Sequence, residues 1–303
     1  MKQIKGSLAC LLAAVIWGAA FVTQVVIVNN GVGTFSFVFF RSFIAFLFLF
    51  VLLQISRIFH LDKDYEKYKN KKEIKHILLA GFSCGILVFT STALQQAGMA
   101  MYPSGTAVSG RAGFITATYV VMASIVQTLL GRRPHILVII SALICMIGVY
   151  YMSFSNGIDN IYIGDIFIFL CAIVYTIHIF TIDYFNDIDS VRLCMMQFLF
   201  SSIFTFPLMI FEGININGII KSILPFLYMG VMSSGIAYTL QMYGQKRTSP
   251  AIAAIILSLE SVFAALSGFI FINEKLLQRE IIGASLMFFA VILAQVPLLI
   301  KKK

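Results

Sequence analysis

The stretch Ser7–Val28, SLACLLAAVIWGAAFVTQVVIV, carries no charged residue. As a helix it is long enough to cross the hydrocarbon core of a bilayer, which takes about 20 apolar residues. The second half of the chain answers it with Ile163–Tyr184, where Cys171-Ala172-Ile173-Val174-Tyr175 lines up with Ala13-Ala14-Val15-Ile16-Trp17. Working outward, both halves continue in the same order. The first half runs Ser7–Val28, Phe35–Ile55, Ile77–Gln96, Ser104–Leu129 and Ile136–Ser153. The second runs Ile163–Tyr184, Leu193–Phe211, Ile219–Tyr243, Ala251–Ile272 and Ile281–Ile300. Arg41 falls opposite Gln197. Leu94-Gln95 with Gly98 falls opposite Leu240-Gln241 with Gly244, and Ala107–Tyr119 opposite Thr248–Glu260.

The sequence therefore predicts an all-α polytopic membrane protein of ten transmembrane helices. They form two five-helix repeats, residues 1–154 and 155–303, which together make one domain. Five is odd, so the second repeat enters the membrane from the opposite side. The repeats are expected to be inverted about an axis in the membrane plane, with a solute site where they meet.

Composition agrees. The chain is 60% hydrophobic and 12% charged, with a mean hydropathy of +0.94. Soluble domains carry about 25% charged residues. The net charge of +9 does not point to nucleic acid, because of its distribution. With the N-terminus inside, Lys221, Lys275 and Arg279 are the basic residues of the outer loops. Arg41 and Arg111 lie within spans, and the rest of the 22 Lys and Arg fall on the inner side, most densely over Arg57–His76. That asymmetry predicts both termini in the cytoplasm and contact with anionic lipid. Cys10, Cys84, Cys145, Cys171 and Cys194 are scattered through apolar segments, with no metal-ligand or disulfide spacing. Met1–Lys5 and the run after it do not read as a signal peptide, because the run is too long and nine more follow.

Charge inside hydrocarbon is costly, so an ionisable residue there is a functional candidate. Glu260 sits about ten residues, roughly 15 Å, into the ninth span. Small residues surround it on the same face: Ala253, Ala264, Ser267 and, beside them, Ser261 and Gly268. Such a face meets protein or a cavity rather than lipid. Glu260 is either a substrate or proton-coupling carboxylate or half of a structural ion pair. Arg111 lies roughly 10 Å into the fourth span; it can pair with Glu260 or bind a substrate carboxylate. Arg41, near the outer end of the second span, reads as a structural or gating residue that snorkels to the interface. Trp17 and Gln24, seven apart, share a helix face. With Tyr175, Gln95, Gln241, Thr116, Tyr119 and Tyr238 they suit either interhelical hydrogen bonding or a polar, aromatic-lined cavity. Gln197 and His178 read as gating or structural groups, and Asp165 and Asp183 as structural carboxylates at helix ends. No phosphate loop, paired-histidine zinc motif or nucleophile elbow is present, so an enzyme is not expected.

Four stretches also carry a likeness. Trp17-Gly18-Ala19-Ala20-Phe21, Phe40-Arg41-Ser42-Phe43 and Gly110-Arg111-Ala112-Gly113-Phe114-Ile115-Thr116-Ala117 are three of them. Thr248-Ser249-Pro250-Ala251 with Ser258-Leu259-Glu260-Ser261 and Glu274-Lys275-Leu276 is the fourth. In order and spacing the chain resembles the drug/metabolite transporter superfamily, and within it the ten-helix EamA-type permeases, with Arg111 where one subgroup has lysine. The resemblance implies alternating access around a central cavity, small organic substrates such as amino acids moved outward with or without protons, and no cofactor. It makes the expected function that of a secondary active exporter in the cell (inner) membrane. Two other readings stay open from the residues. One is a flippase or carrier of a quaternary-ammonium or lipid-linked solute, held by Glu260 among aromatic rings. The other is a membrane scaffold that transports nothing.

Overall fold

A computed structural model describes residues 2–62, 68, 70–102, 108–132, 134–153, 162–272 and 278–300. The basic residues Lys63, Lys67, Lys69, Arg133, Lys275 and Lys301–Lys303, together with Pro103–Thr106 and Glu274, lie outside the described residues. Among those described, every long element is a helix: α1 (Lys2–Asn29), α2 (Thr34–Ile58), α3 (Lys71–Ala100), α4 (Val108–Ala117), α5 (Tyr119–Leu129), α6 (Ile136–Ser153), α7 (Ile163–Tyr184) and α8 (Ser190–Glu212). The short α9 (Ile216–Lys221) and α10 (Ile223–Leu227) lead into a π-helical segment (Tyr228–Ala237) and α11 (Tyr238–Gln245). The chain closes with α12 (Pro250–Leu257), α13 (Glu260–Ile272) and α14 (Gln278–Ile300).

Among the described residues, six helices are long and apolar enough to cross a bilayer: Gln3–Asn29, Thr34–Ile58, Lys71–Ala100, Ile163–Tyr184, Ser190–Glu212 and Ile223–Gln245. Where the other four spans are expected, the described residues hold shorter apolar stretches of helix, Ile115–Leu129, Ile136–Tyr151, Pro250–Ala264 and Ile281–Ala294. Two of these differ from the sequence reading for a local reason. The fourth span breaks at Thr118, whose hydroxyl donates to the Ile115 carbonyl at 2.6 Å. The ninth breaks at Ser258–Leu259, where the Ser258 hydroxyl donates to the Ile255 carbonyl at 2.8 Å. Such side-chain bonds compete with the helix ladder. At both breaks the backbone tightens to i→i−3 bonds, Thr118 N to Ile115 O and Leu259 N to Ile256 O, both at 3.2 Å.

Side-chain caps open several helices: Asn70 for α3, Asp189 for α8 and Ser249, with Pro250 following, for α12. Glycines bring the long helices together. Gly81 and Gly85 of α3, a Gly-x-x-x-Gly pair, would collide through an added Cβ with Met196 and Phe200 of α8. Gly98 of α3 and Gly164 of α7 face each other's carbonyls, and so do Gly6 of α1 and Gly244 of α11. Helix α3 runs antiparallel to α7, since Gly98 meets Gly164 at one end and His76 meets Asp187 just beyond the other. Helix α1 runs antiparallel to the 222–245 stretch, with Asn30 bonded to Ser222 at one end and Gly6 against Gly244 at the other.

Apolar side chains such as Leu47, Val51, Leu79, Ile147, Phe169, Ile203 and Phe289 cover the outer surface. That leaves an apolar girdle of the kind lipid requires. The basic end is tied by ion pairs: Arg192 with Asp62 and Asp189, Arg132 with Asp183, and His76 with Asp187. The Arg192 guanidinium lies 4.6 Å from the Tyr68 ring centroid.

Candidate functional site

The three interrupted stretches converge. Thr116 and Tyr119 flank the break between α4 and α5, Leu257 and Glu260 flank the break between α12 and α13, and Ser233 and Tyr238 lie in and just after the π-helical segment. All six line one cavity. Helix α1 adds Trp17, Phe21 and Gln24; α2 adds Arg41, α3 Gln95, α7 Tyr175 and Ile179, and α11 Gln241. The cavity has about 60 Å³ of water-accessible volume.

Its walls are cross-braced. The Trp17 indole donates to the Ser233 carbonyl at 2.9 Å and meets the Tyr238 ring edge-on at 4.9 Å between centroids. The Tyr175 and Tyr238 hydroxyls are 3.2 Å apart. The Gln95 amide donates to the Thr116 hydroxyl at 3.4 Å. π-helical segments recur at functional sites. Here the Ser233 carbonyl of that segment accepts from the indole N–H.

The ionisable side chains of an arginine and a glutamate face this space. Arg41 is 3% exposed and donates from Nε to the Ser234 hydroxyl at 3.0 Å. It does not snorkel: Ser234 and the face of Phe37, 5.4 Å from the guanidinium carbon, hold it inside the bundle. Glu260 is 8% exposed, and among the described residues no cation or hydrogen-bond donor is paired with its carboxyl. Arg111 belongs to α4, and its side chain, with the pairing to Glu260 that is one of its two readings, lies outside the described residues.

Most of the polar residues singled out from the sequence thus meet in one place: Trp17, Gln95, Thr116, Tyr119, Tyr175, Tyr238, Gln241 and Glu260, with Arg41. His178 and Gln197 do not. Both are fully buried behind the wall, hydrogen-bonded to each other at 3.0 Å, with the His178 ring 6.1 Å from that of Tyr238. Asp165 accepts from the Tyr102 hydroxyl at 2.6 Å and from the Tyr162 amide at 2.8 Å, and Asp183 pairs with Arg132. The sequence reading did not single out Phe21, Ile179, Met229 and Ser233 as site residues, and had Leu257 only as a neighbour on the Glu260 face. Phe21 and Ile179 sit four residues after Trp17 and Tyr175, and Leu257 three before Glu260, so helical spacing from the known members finds them. Ser233 lies five before Tyr238, a spacing that shares a face in a π-helix and not in an α-helix.

Comparison with known proteins agrees with this architecture. A protein of Archaeoglobus fulgidus described as an uncharacterized transporter is 30% identical over 295 residues, which cover 97% of this chain and 86% of its own. A solved crystal structure superposes on 96% of this chain and 96% of its own, with a TM-score of 0.78 at 13% identity, a likeness of fold alone. The profile of the EamA-like transporter family matches residues 4–154 and 162–295. An apolar helical bundle around a polar cavity, matched to that profile along nearly its whole length, places the chain in the EamA-like transporter family, as a multi-pass membrane transporter.

Proposed function

We propose that this protein is a secondary active exporter of small zwitterionic metabolites, of which amino acids are the type, working by alternating access in the cell membrane. The observation that carries the reading is a single cavity lined by both a guanidinium, Arg41, and a carboxyl without a described partner, Glu260. A solute with its own carboxylate and ammonium can satisfy both at once, the former on Arg41 through charge-assisted bonds. Trp17, Tyr119, Tyr175 and Tyr238 supply the apolar and aromatic wall such a solute's side chain needs. A quaternary-ammonium cargo fits the carboxyl and the rings but leaves Arg41 facing a like charge, which counts against it.

Ten spans in two inverted repeats, 1–154 and 155–303, form the frame of this proposal. The family profile falls on two stretches that split the chain at the same place. The pair Gly6–Gly244 is related to the pair Gly164–Gly98 by the sequence correspondence of the halves, so equivalent contacts are exchanged as an in-plane two-fold would exchange them. The breaks at Thr118 and Ser258–Leu259 also fall at nearly corresponding positions. The basic end, which carries both termini, is assigned to the cytoplasm. Glu260 is assigned the coupling role, exchanging a proton against the solute's ammonium.

The test is uptake of a radiolabelled amino-acid panel into proteoliposomes across an imposed pH gradient. Wild-type protein accumulates at least one zwitterion, and Glu260→Gln, folded as judged by size-exclusion profile, loses the response to the gradient. An unaltered response removes Glu260 from coupling.

A further inference from the structure

Below the cavity the same helix face stays polar. Gln241 lines the cavity, Gln245 follows it at i+4 at the end of α11, and Thr248 lies in the turn beyond, toward the basic end. All three are buried, at 3%, 2% and 8% exposure. Among the described residues, these polar atoms have no hydrogen-bond partner: Oε1 of Gln241, both amide atoms of Gln245 and the hydroxyl of Thr248. Ser7 of α1, 7% exposed, has an unpartnered hydroxyl as well. It stands beside Gly6, whose added Cβ would lie 3.0 Å from the Gly244 carbonyl and 2.7 Å from the Arg247 Cβ, so α1 presses on the 244–247 stretch here.

Unpaired polar groups away from water are costly, and a bundle selected only for packing fills such a seam with apolar side chains. The neighbouring contact of α5, α6 and α12 is finished differently: Val138, Ala142, Ala123, Ala251 and Ala254 are apolar, and the buried Gln127 among them accepts from the Ala251 amide at 3.1 Å. The polar ladder from Gln241 to Thr248 is confined to the contact of α1 with α11 and its turn.

We propose that Ser7, Gln245 and Thr248, continuing from Gln241, line the cytoplasmic arm of the permeation route. In this conformation the arm is shut by the backbone contact of Gly6 with Gly244. When α1 and α11 part, it takes up water and passes the polar solute between cavity and cytoplasm. The unpartnered groups are then the ones that bond water and cargo in the open state. This inference rests on the transport reading above and deepens it by naming one of the two exits.

The test is site-directed labelling in inside-out membrane vesicles with a membrane-impermeant cationic methanethiosulfonate, the modified position read by mass spectrometry. Gln245→Cys is compared with Ala142→Cys, both in a Cys10→Ala background because Cys10 packs on Gly244 in the same seam. Ala142 is equally buried, at 2% exposure, but lies in the apolar core. The expected result is labelling at Gln245→Cys at least tenfold faster than at Ala142→Cys. Equal rates overturn the proposal. If Gln245→Cys does not fold, Thr248→Cys carries the same comparison with the same two outcomes. Labelling needs no solute, so amino-acid uptake with equal labelling rates rejects this exit alone. Fast labelling with no zwitterion transported rejects the substrate reading alone.

Discussion

Two helix crossings related by the sequence repeat differ in how they are finished. Where α3 crosses α7, Gly98 packs on Gly164, and the polar groups beside them are satisfied: the Tyr102 hydroxyl donates to Asp165 at 2.6 Å, and Asp165 also takes the Tyr162 amide. Where α1 crosses α11, Gly6 packs on Gly244 in the same way, but the counterparts of Asp165 and Tyr102 are Ser7 and Thr248, and neither hydroxyl has a partner among the described residues. The backbone contact is alike and the finish is not. A crossing with a charged hydrogen bond over it resists opening. One that leaves donors and acceptors unpaired has less to lose by opening, because water then satisfies them.

This contrast can be broken from either side. The largest effect belongs to the glycines. At Gly164 an added Cβ would sit 2.6 Å from the Gly98 carbonyl, and backbone cannot yield as a side-chain tip does. Gly164→Ala is expected to destabilise by about 1–3 kcal/mol, the usual cost of overpacking, read as a fall in the thermal unfolding midpoint in detergent. Tyr102→Phe removes the bond over the same crossing while keeping the ring. A hydrogen bond to a charged group contributes about 1.5–3 kcal/mol, and the lower figure applies here because Asp165 keeps the Tyr162 amide. The midpoint falls less than for Gly164→Ala. On the other crossing the sign reverses. Gln245→Leu removes two orphaned polar atoms and is expected to stabilise by about 1 kcal/mol. A lowered midpoint there would mean that Gln245 is bonded in the folded protein and that the contrast is false.

The helical architecture was legible because it rests on a coarse property. Apolar runs such as Ser7–Val28 and Phe35–Ile55 cannot be soluble helices of ordinary composition, and α1 and α2 match them to within a few residues. The interruptions were not legible. Thr118 and Ser258 are common in membrane helices, and nothing in a single sequence says which hydroxyl will take the carbonyl three residues back. The π-helical stretch Tyr228–Ala237 hid Ser233 for the same reason, since the α-helical period sets Ser233 and Tyr238 on different faces. Most of the cavity emerged because strongly polar side chains in hydrocarbon are few: Gln95, Gln241 and Glu260 stand out against their neighbours, as does Trp17, the one tryptophan, with Tyr175 opposite it in the second half. Arg41 was misplaced because its distance from the helix end allows snorkelling; what holds it inward, Ser234 and Phe37, comes partly from a distant helix.

The central claim is that one cavity between the two halves is reached from both faces of the membrane in turn. Ser233 lies in its wall, and Ser233→Cys changes little but the reactivity of the position. The direct measurement is its labelling by the impermeant methanethiosulfonate, first from outside on intact cells and then from inside on inverted vesicles, with the wild-type protein as background. The account predicts modification at Ser233→Cys from each side. Modification from one side alone, with the other side silent however long the exposure, contradicts it.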